Sequence, residues 1–270
     1  MALPTVSVVV PCLDDAGPLA VCLASLARQQ LAPLEVIVVD NGCRDDSRAV
    51  AARFGARIVT EPMRGIPAAA AAGYDAARGG IIARCDADSV LPPDWIGRIA
   101  AQFAGDPGLA ALTGPGRFYG LSGPLRPVAG GLYMHGYFWA MGAALGHYPL
   151  FGSNLALRGS CWRSIRDRVH RADAEMHDDV CLSLHLDPTG RIRYDRSLRV
   201  GISARALAGR RNLQRRFRRA FHTLAAHWPE EFPWRRWGRR LGGRRVPRGS
   251  SSGPPRERRR APARRYGKAG

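Results

Sequence analysis

Four short apolar runs rich in β-branched residues, Val6-Ser-Val-Val-Val10, Glu35-Val-Ile-Val-Val39, Ala56-Arg-Ile-Val59 and Ile81-Ile-Ala-Arg-Cys85, alternate with Ala-, Leu- and Arg-rich stretches around 17–30, 46–54 and 66–78. This rhythm is the strongest constraint on the fold. The runs have the length and composition of strands, and the stretches between them have the length of crossover helices. An α/β architecture with a mostly parallel central sheet is therefore expected. On such open sheets ligands bind beyond the carboxyl ends of the strands. Those ends carry carboxylates here: Asp14 and Asp15, Asp40, and Asp86 with Asp88.

With 270 residues the chain has room for one sizeable domain and an appendage, and the domain needs no disulfide staples. The cysteines at 12, 22, 43, 85, 161 and 181 show no CxxC spacing and lie mostly within apolar runs. Buried thiols in a reducing compartment are expected from this, and no zinc site. The opening Met1-Ala-Leu-Pro-Thr-Val6 lacks a basic stretch and runs directly into the first strand. No secretory signal is expected, so the protein is expected in the cytoplasm, at most peripheral at the inner face of the membrane.

The net charge of +19 suggests nucleic acid until it is mapped along the chain. Residues 1–204 carry 20 Arg against 19 Asp and Glu, whereas residues 205–270 carry 20 Arg and one Lys against three Glu. The positive charge thus belongs to the C-terminal part. Three regions are expected: a catalytic domain over 1–204, a basic amphipathic helical extension over 205–241, and an Arg/Pro/Gly-rich disordered tail over 242–270. Within the extension Leu213, Phe217, Phe221, Leu224 and Trp228 recur at helical spacing, with arginines mainly off that stripe. Such a helix either packs on the body or lies on an anionic membrane surface. Residues 127–157 contain no Asp, Glu, Lys or Arg, and three readings stay open for them: a buried or acceptor-facing segment, an interfacial one, or a span interrupted by Gly, His and Pro.

Asp86-Ala-Asp88 follows the apolar run that ends at Cys85, so both carboxylates leave the end of a strand facing similarly. That pair suits a hard cation, Mg²⁺ or Mn²⁺, bridging protein oxygens and a diphosphate; the alternative is turn-forming aspartate. Asp40 in Val38-Val-Asp-Asn-Gly42 is placed to accept a hydrogen bond from a base or ribose, or to make an Asx turn. The loop Pro11 to Gly17 has neither GxGxxG nor GxxxxGK[ST]. Neither a dinucleotide fold nor a P-loop is supported.

These features occur in order with others: Val6-Ser-Val-Val-Val-Pro11, Val38-Val-Asp-Asn-Gly-Cys-Arg-Asp45, Arg64-Gly65, Asp86-Ala-Asp88 with Pro92-Pro-Asp-Trp95, Gly152-Ser-Asn-Leu-Ala-Leu-Arg158, and His177-Asp-Asp-Val-Cys-Leu-Ser-Leu184. Over roughly residues 5–200 the chain resembles the family 2 glycosyltransferases, with their Rossmann-like glycosyltransferase-A fold. The resemblance implies that Pro11, Leu13 and Asp40 line the nucleotide pocket, that Asp86 faces the ribose and diphosphate, and that Asp88 holds the metal. It puts Asp179 at the catalytic base, with Asp178 in place of the usual Glu; without it, both acids simply suit a helix start. Ala69-Ala70-Ala71 stands where Ala-Arg-Asn is common in the family, so a donor-side polar contact is either absent or supplied elsewhere, by Arg64 or Arg84. Gln214-Arg-Arg-Phe217 only partly echoes the Gln-x-x-Arg-Trp of processive members, which argues for transfer of a single sugar.

The expected activity is inverting, metal-dependent transfer from a nucleotide-diphosphate sugar to an acceptor hydroxyl of a lipid, glycan or small metabolite. A nucleotidyltransferase acting on a sugar phosphate is the alternative on the same sheet, but its glycine-rich basic first loop is missing. A non-enzymatic polycation binding nucleic acid or a membrane through the tail would leave the acidic strand ends without a purpose. No specific nucleic acid partner is expected.

Overall fold

The computed structural model describes residues 2–120, 126–186, 191–207, 210–228 and 230–241. The expected tail, 242–270, lies outside them. The first half realises the expected alternation: β1 (Val6–Cys12), α1 (Ala16–Ala27), β2 (Glu35–Asp40), α2 (Ser47–Arg53), β3 (Arg57–Thr60), α3 (Ile66–Ala76), β4 (Ile81–Arg84) and α4 (Trp95–Gly105). There follow β5 (Leu109–Thr113), β6 (Gly116–Tyr119), α5 (Arg126–Leu145), β7 (Leu155–Arg158), α6 (Gly159–Ile165), α7 (Asp178–Leu186), β8 (Arg191–Tyr194) and β9 (Val200–Ser203). A 3₁₀ turn (Ala204–Leu207), α8 (Arg210–Ala226) and α9 (Pro233–Leu241) complete the described chain.

Seven strands form one sheet in the order β3-β2-β1-β4-β7-β5-β8. The pairings of β1 with β2, β1 with β4, and β2 with β3 are parallel, whereas β7 runs antiparallel to both β4 and β5. Side chains alternate across the sheet and build two cores. Val6, Val8 and Val10 join Leu19, Cys22 and Leu23 of α1 and Ile96 and Ile99 of α4 on one face. Val9, Ile37 and Val39 join the Ala69–Ala71 run and Tyr74 of α3 and Leu182 of α7 on the other. Gly73 lets α3 settle onto this second face, since a Cβ there would lie 2.3 Å from Val9 Cγ1. The chain moves outward from β1 through β2 to β3 and returns with β4 on the opposite side of β1. That reversal opens a crevice at the carboxyl ends of β1 and β4, the switch point where open α/β sheets take ligands.

α5 occupies the uncharged stretch. Met134, Phe138, Met141 and Leu145 turn inward, while Leu132 and Trp139 are exposed. No helix among the described residues is long and apolar enough to cross a membrane. The segment expected as a helical extension contains two helices, α8 and α9, and α8 buries a face offset from the apolar stripe: Thr223 and His227 are covered, Leu224 packs on Met141, Leu145, Val180 and Leu184, and Phe217 and Phe221 stand in solvent. The Leu213 side chain lies outside the described residues. Arginines make the inward contacts instead: Arg219 donates to the Ala174 carbonyl, and Arg215 and Arg218 pair with Glu175.

Candidate active site

β4 ends at Arg84, and the next residues deliver Asp86 and Asp88 into the crevice. The Asp86 amide bonds to Ser89 Oγ (3.1 Å) in a tight turn, and the two carboxylates are near enough for the charge of Asp86 to act on Asp88. Arg84 is buried, at 2% exposure, and serves two acids at once: Asp86 (NH2 to Oδ1, 3.2 Å) and Asp178 at the start of α7. Ser153, between α5 and β7, donates its hydroxyl to the other Asp86 oxygen. Asp179, the neighbour of Asp178, accepts the Gly152 amide at 2.9 Å and the Val180 amide at 2.8 Å. His177 Nδ1 stands 3.8 Å from its carboxylate.

A second guanidinium closes the other side. Arg205, in the 3₁₀ turn after β9, reaches Asp15 (3.0 Å) and Asp88 (3.3 Å), and the Tyr119 hydroxyl of β6 donates to the Asp88 carbonyl (2.6 Å). β6 pairs parallel with β9, which brings the turn carrying Arg205 over the end of β4. Five carboxylates, Asp15, Asp86, Asp88, Asp178 and Asp179, thus gather around two guanidiniums. The surplus of negative charge acts on the acids themselves. Burial, and next the charge of Asp86, raise the Asp88 carboxyl above its ordinary range, against the pull of Arg205. Asp178 is also raised, by burial first; Arg84 opposes this while Asp179 and Asp86 add to it. Arg84 itself stays charged, since a guanidinium facing several carboxylates has no means of losing its proton.

The remaining expected residues surround this cluster on the β1–β2 side. Pro11 is half-buried in β1, and Leu13 just beyond it is exposed. Asp40 adopts the Asx turn, accepting the amides of Gly42 (3.1 Å) and Cys43 (2.7 Å), and pairs with Arg48. Burial pushes its pKa up, but the Cys43 amide and Arg48 outweigh it and hold the group below its ordinary value. Arg64 lies over that turn, donating to the Gly42 carbonyl at 3.0 Å. Asn41 fastens the facing loop by donating to the carbonyls of Glu61 and Met63 and accepting the Gly65 amide.

Arg205, Ser153, Asn41 and Tyr119 were not singled out from the sequence. Arg205 sits at the start of the arginine-rich region and reads there as one more tail charge; its position directly after the apolar run Val200–Ser203 was the available signal. A separate cleft of about 660 Å³ on the α5 side is lined by Arg117, Phe138, Trp139, Tyr194, Arg196 and Arg199 among others.

Comparison with known proteins bears on the family and the fold. Residues 7–171 match the family described as glycosyl transferase family 2. An uncharacterized glycosyltransferase of Mycobacterium tuberculosis is 37% identical over 130 residues, which cover 48% of this chain and 53% of that protein. The chain thus spans about half the length of the curated relatives it matches first. Among solved structures, a mannosyltransferase from Pyrobaculum calidifontis, in complex with GDP-Man and Mn²⁺, superposes with a TM-score of 0.59 at 19% identity, covering 92% of this chain and 67% of its own. Glucosyl-3-phosphoglycerate synthase from Mycobacterium tuberculosis, in complex with UDP, gives 0.58 at 20% identity, covering 83% and 79%. At such identities these structures speak for the fold, and the family match over more than half of the chain speaks for descent: this protein belongs to glycosyl transferase family 2.

Proposed function

We propose that the protein moves a single sugar from a nucleoside-diphosphate sugar to an acceptor hydroxyl with inversion, using Asp179 as base and a divalent cation held by Asp88. The observation that carries this reading is the pair of strand-end acids, Asp86 and Asp88, set among five carboxylates that two guanidiniums do not neutralise. The donors at the crevice are carboxylate oxygens, the ligand type that Mg²⁺ and Mn²⁺ prefer. A cation there would relieve the repulsion between Asp86 and Asp88, so the residues fit the group. Bound, it would supply Lewis-acid stabilisation of the charge on the departing diphosphate.

The chain's own residues do the rest. Pro11, Leu13 and Asp40 flank the nucleotide at the ends of β1 and β2, with Arg64 beside the diphosphate and Asp86 toward the ribose. The acceptor oxygen attacks the anomeric carbon from the face opposite the leaving group. Asp179 takes the acceptor proton, the new C–O bond forms, and the old one breaks with its electron pair leaving on the nucleoside diphosphate. A base within hydrogen-bond reach contributes typically ~10²–10⁴-fold. The two amides on Asp179 fix its orientation while leaving lone pairs on both oxygens.

The extension supports a location for this chemistry. Phe217, Phe221 and Trp234 are 63–67% exposed on a strongly basic segment, the composition of a surface that docks on anionic lipid. The catalytic reading is tested with a panel of nucleotide sugars, scored for Mn²⁺-dependent protection against thermal unfolding. A donor at a hundredfold excess over its Kd should stabilise by about 2.7 kcal/mol. Asp88→Ala should abolish that protection while its unfolding without ligand stays cooperative. Equal protection in Asp88→Ala removes Asp88 as the metal ligand.

A further inference from the structure

Away from the crevice, four side chains of metal-ligand type converge from three separate segments: His170 in the loop after α6, Cys181 and His185 on α7, and His227 just after α8. Cys181 and His185 are four residues apart and therefore share one face of α7. Their ligand atoms all lie within 4.8 Å of one another. Cys181 Sγ is 3.5 Å from His170 Nδ1 and 3.7 Å from His227 Nε2, and His227 Nε2 is 3.4 Å from His185 Nε2. In a tetrahedral zinc site with Zn–N of about 2.0–2.1 Å and Zn–S of about 2.3 Å, simple geometry puts neighbouring ligand atoms roughly 3.3 Å (N to N) and 3.5 Å (S to N) apart. The three separations match those edges.

Orientation supports the same conclusion. His227 Nδ1 is 2.7 Å from the Thr223 carbonyl, which can only accept, so that nitrogen carries the proton and the Nε2 lone pair faces the group. Cys181 and His227 are buried, at 2% and 7% exposure. Three nitrogens and one sulfur are donors that favour zinc over the hard cations that suit the carboxylate crevice.

We propose that His170 Nδ1, Cys181 Sγ, His185 Nε2 and His227 Nε2 bind one Zn²⁺ in a closed structural site. The thiol proton leaves to solvent as the Zn–S bond forms, and the histidines coordinate through lone pairs of neutral rings. All four positions are protein ligands, so the ion takes no part in transfer. It clasps α7, the helix that begins with Asp178 and Asp179, to the loop before it and to α8. The absence of CxxC spacing hid this site: its ligands are a Cys-x-x-x-His pair on one helix and two histidines that only the fold brings close.

The test is made on the untagged full chain, purified without chelator. Elemental analysis should find about one zinc per chain in the wild type and in Asp88→Asn, and less than about a tenth of that in Cys181→Ser and in His227→Gln. Replacement with Co²⁺ alone should give the wild type a thiolate-to-cobalt charge-transfer band and the strong visible bands of a tetrahedral ion. Should the variants fail to fold, the wild-type cobalt spectrum decides by itself. Weak octahedral bands without charge transfer overturn the proposal, as does zinc content unchanged by Cys181→Ser and His227→Gln.

Discussion

Arg205 holds Asp15 and Asp88 together while its own side chain remains 57% exposed. A guanidinium in that position competes with a cation for Asp88, and so exposed a pair is worth only about 0.2–1 kcal/mol. Arg205→Gln should therefore tighten Mn²⁺ binding in the absence of donor, by a few-fold and no more than about fivefold. Calorimetric titration checks this; an unchanged or weaker affinity means Arg205 does not occupy the cation's place. The two acids at the start of α7 separate more sharply. Asp179→Asn keeps an oxygen for the Gly152 amide, leaves the Val180 amide facing an NH2, and removes the proton acceptor, so transfer should fall by ~10² or more with donor affinity retained and a stability loss of about 1 kcal/mol. Asp178→Asn takes a charge from the buried Arg84, so it should cost stability, about 1.5–3 kcal/mol, and change the rate much less. Initial rates at saturating donor, read beside unfolding curves, distinguish them. If both variants keep near wild-type rates, Asp179 leaves the mechanism.

At the level of elements, Glu35 shows how the sheet edge is fastened. Placed at the first residue of β2, its carboxylate accepts the Ser7 hydroxyl from β1 (2.8 Å), Arg57 of β3 (2.9 Å) and the Arg78 amide before β4 (2.8 Å). Burial alone would raise its pKa; those three donors outweigh burial and hold it below the ordinary value. Because the folded pKa lies below the unfolded one, the stabilisation is present above about pH 4.3 and is lost as pH falls through the folded pKa. Glu35→Gln should thus cost about 1.5–3 kcal/mol near neutral pH and progressively less as pH falls below about 4.3, measured by urea unfolding at a series of pH values. A penalty independent of pH would mean the charge is not what holds the strands.

The first four strands and the helices between them were legible because their signals are local: β-branched runs, apolar periodicity and carboxylates at strand ends. The antiparallel insertion of β7 and the pairing of β6 with β9 were not, since strand partners far apart in sequence leave no local mark. Arg205 was hidden for the same reason, and it is that pairing which carries it over Asp88. The stripe on α8 left two readings open, a face packed on the body or one on a membrane surface. Hydrophobic spacing identified the helix but not its buried face, because Thr223, His227 and several arginines satisfy polar groups on the body and leave the aromatics outside.

Taken as a whole, the molecule separates its charges. A nearly neutral body carries the acidic crevice, and almost all the surplus positive charge lies beyond residue 204 together with exposed Phe217, Phe221 and Trp234. Bilayer attraction would then have two parts: about 1 kcal/mol for each basic residue near an anionic surface, and burial of aromatic rings that fill no core position. The parts respond to different perturbations. Raising salt should weaken flotation with phosphatidylserine-containing vesicles, and neutral vesicles should bind much less. Combined Phe217→Ser, Phe221→Ser and Trp234→Ser should reduce binding at every salt concentration while leaving thermal stability nearly unchanged, since these side chains are largely exposed. A variant with Arg235 and the arginines beyond 242 replaced by Gln removes ten of the twenty arginines beyond 204, so it should lose a large share of the salt-sensitive part while keeping the paired Arg205, Arg215, Arg218, Arg219 and Arg236. If the aromatic variant floats as the wild type does, the rings take no part and attraction is electrostatic alone. If neither variant differs from the wild type, the extension does not dock the enzyme on lipid, and the exposed rings must be assigned to another surface.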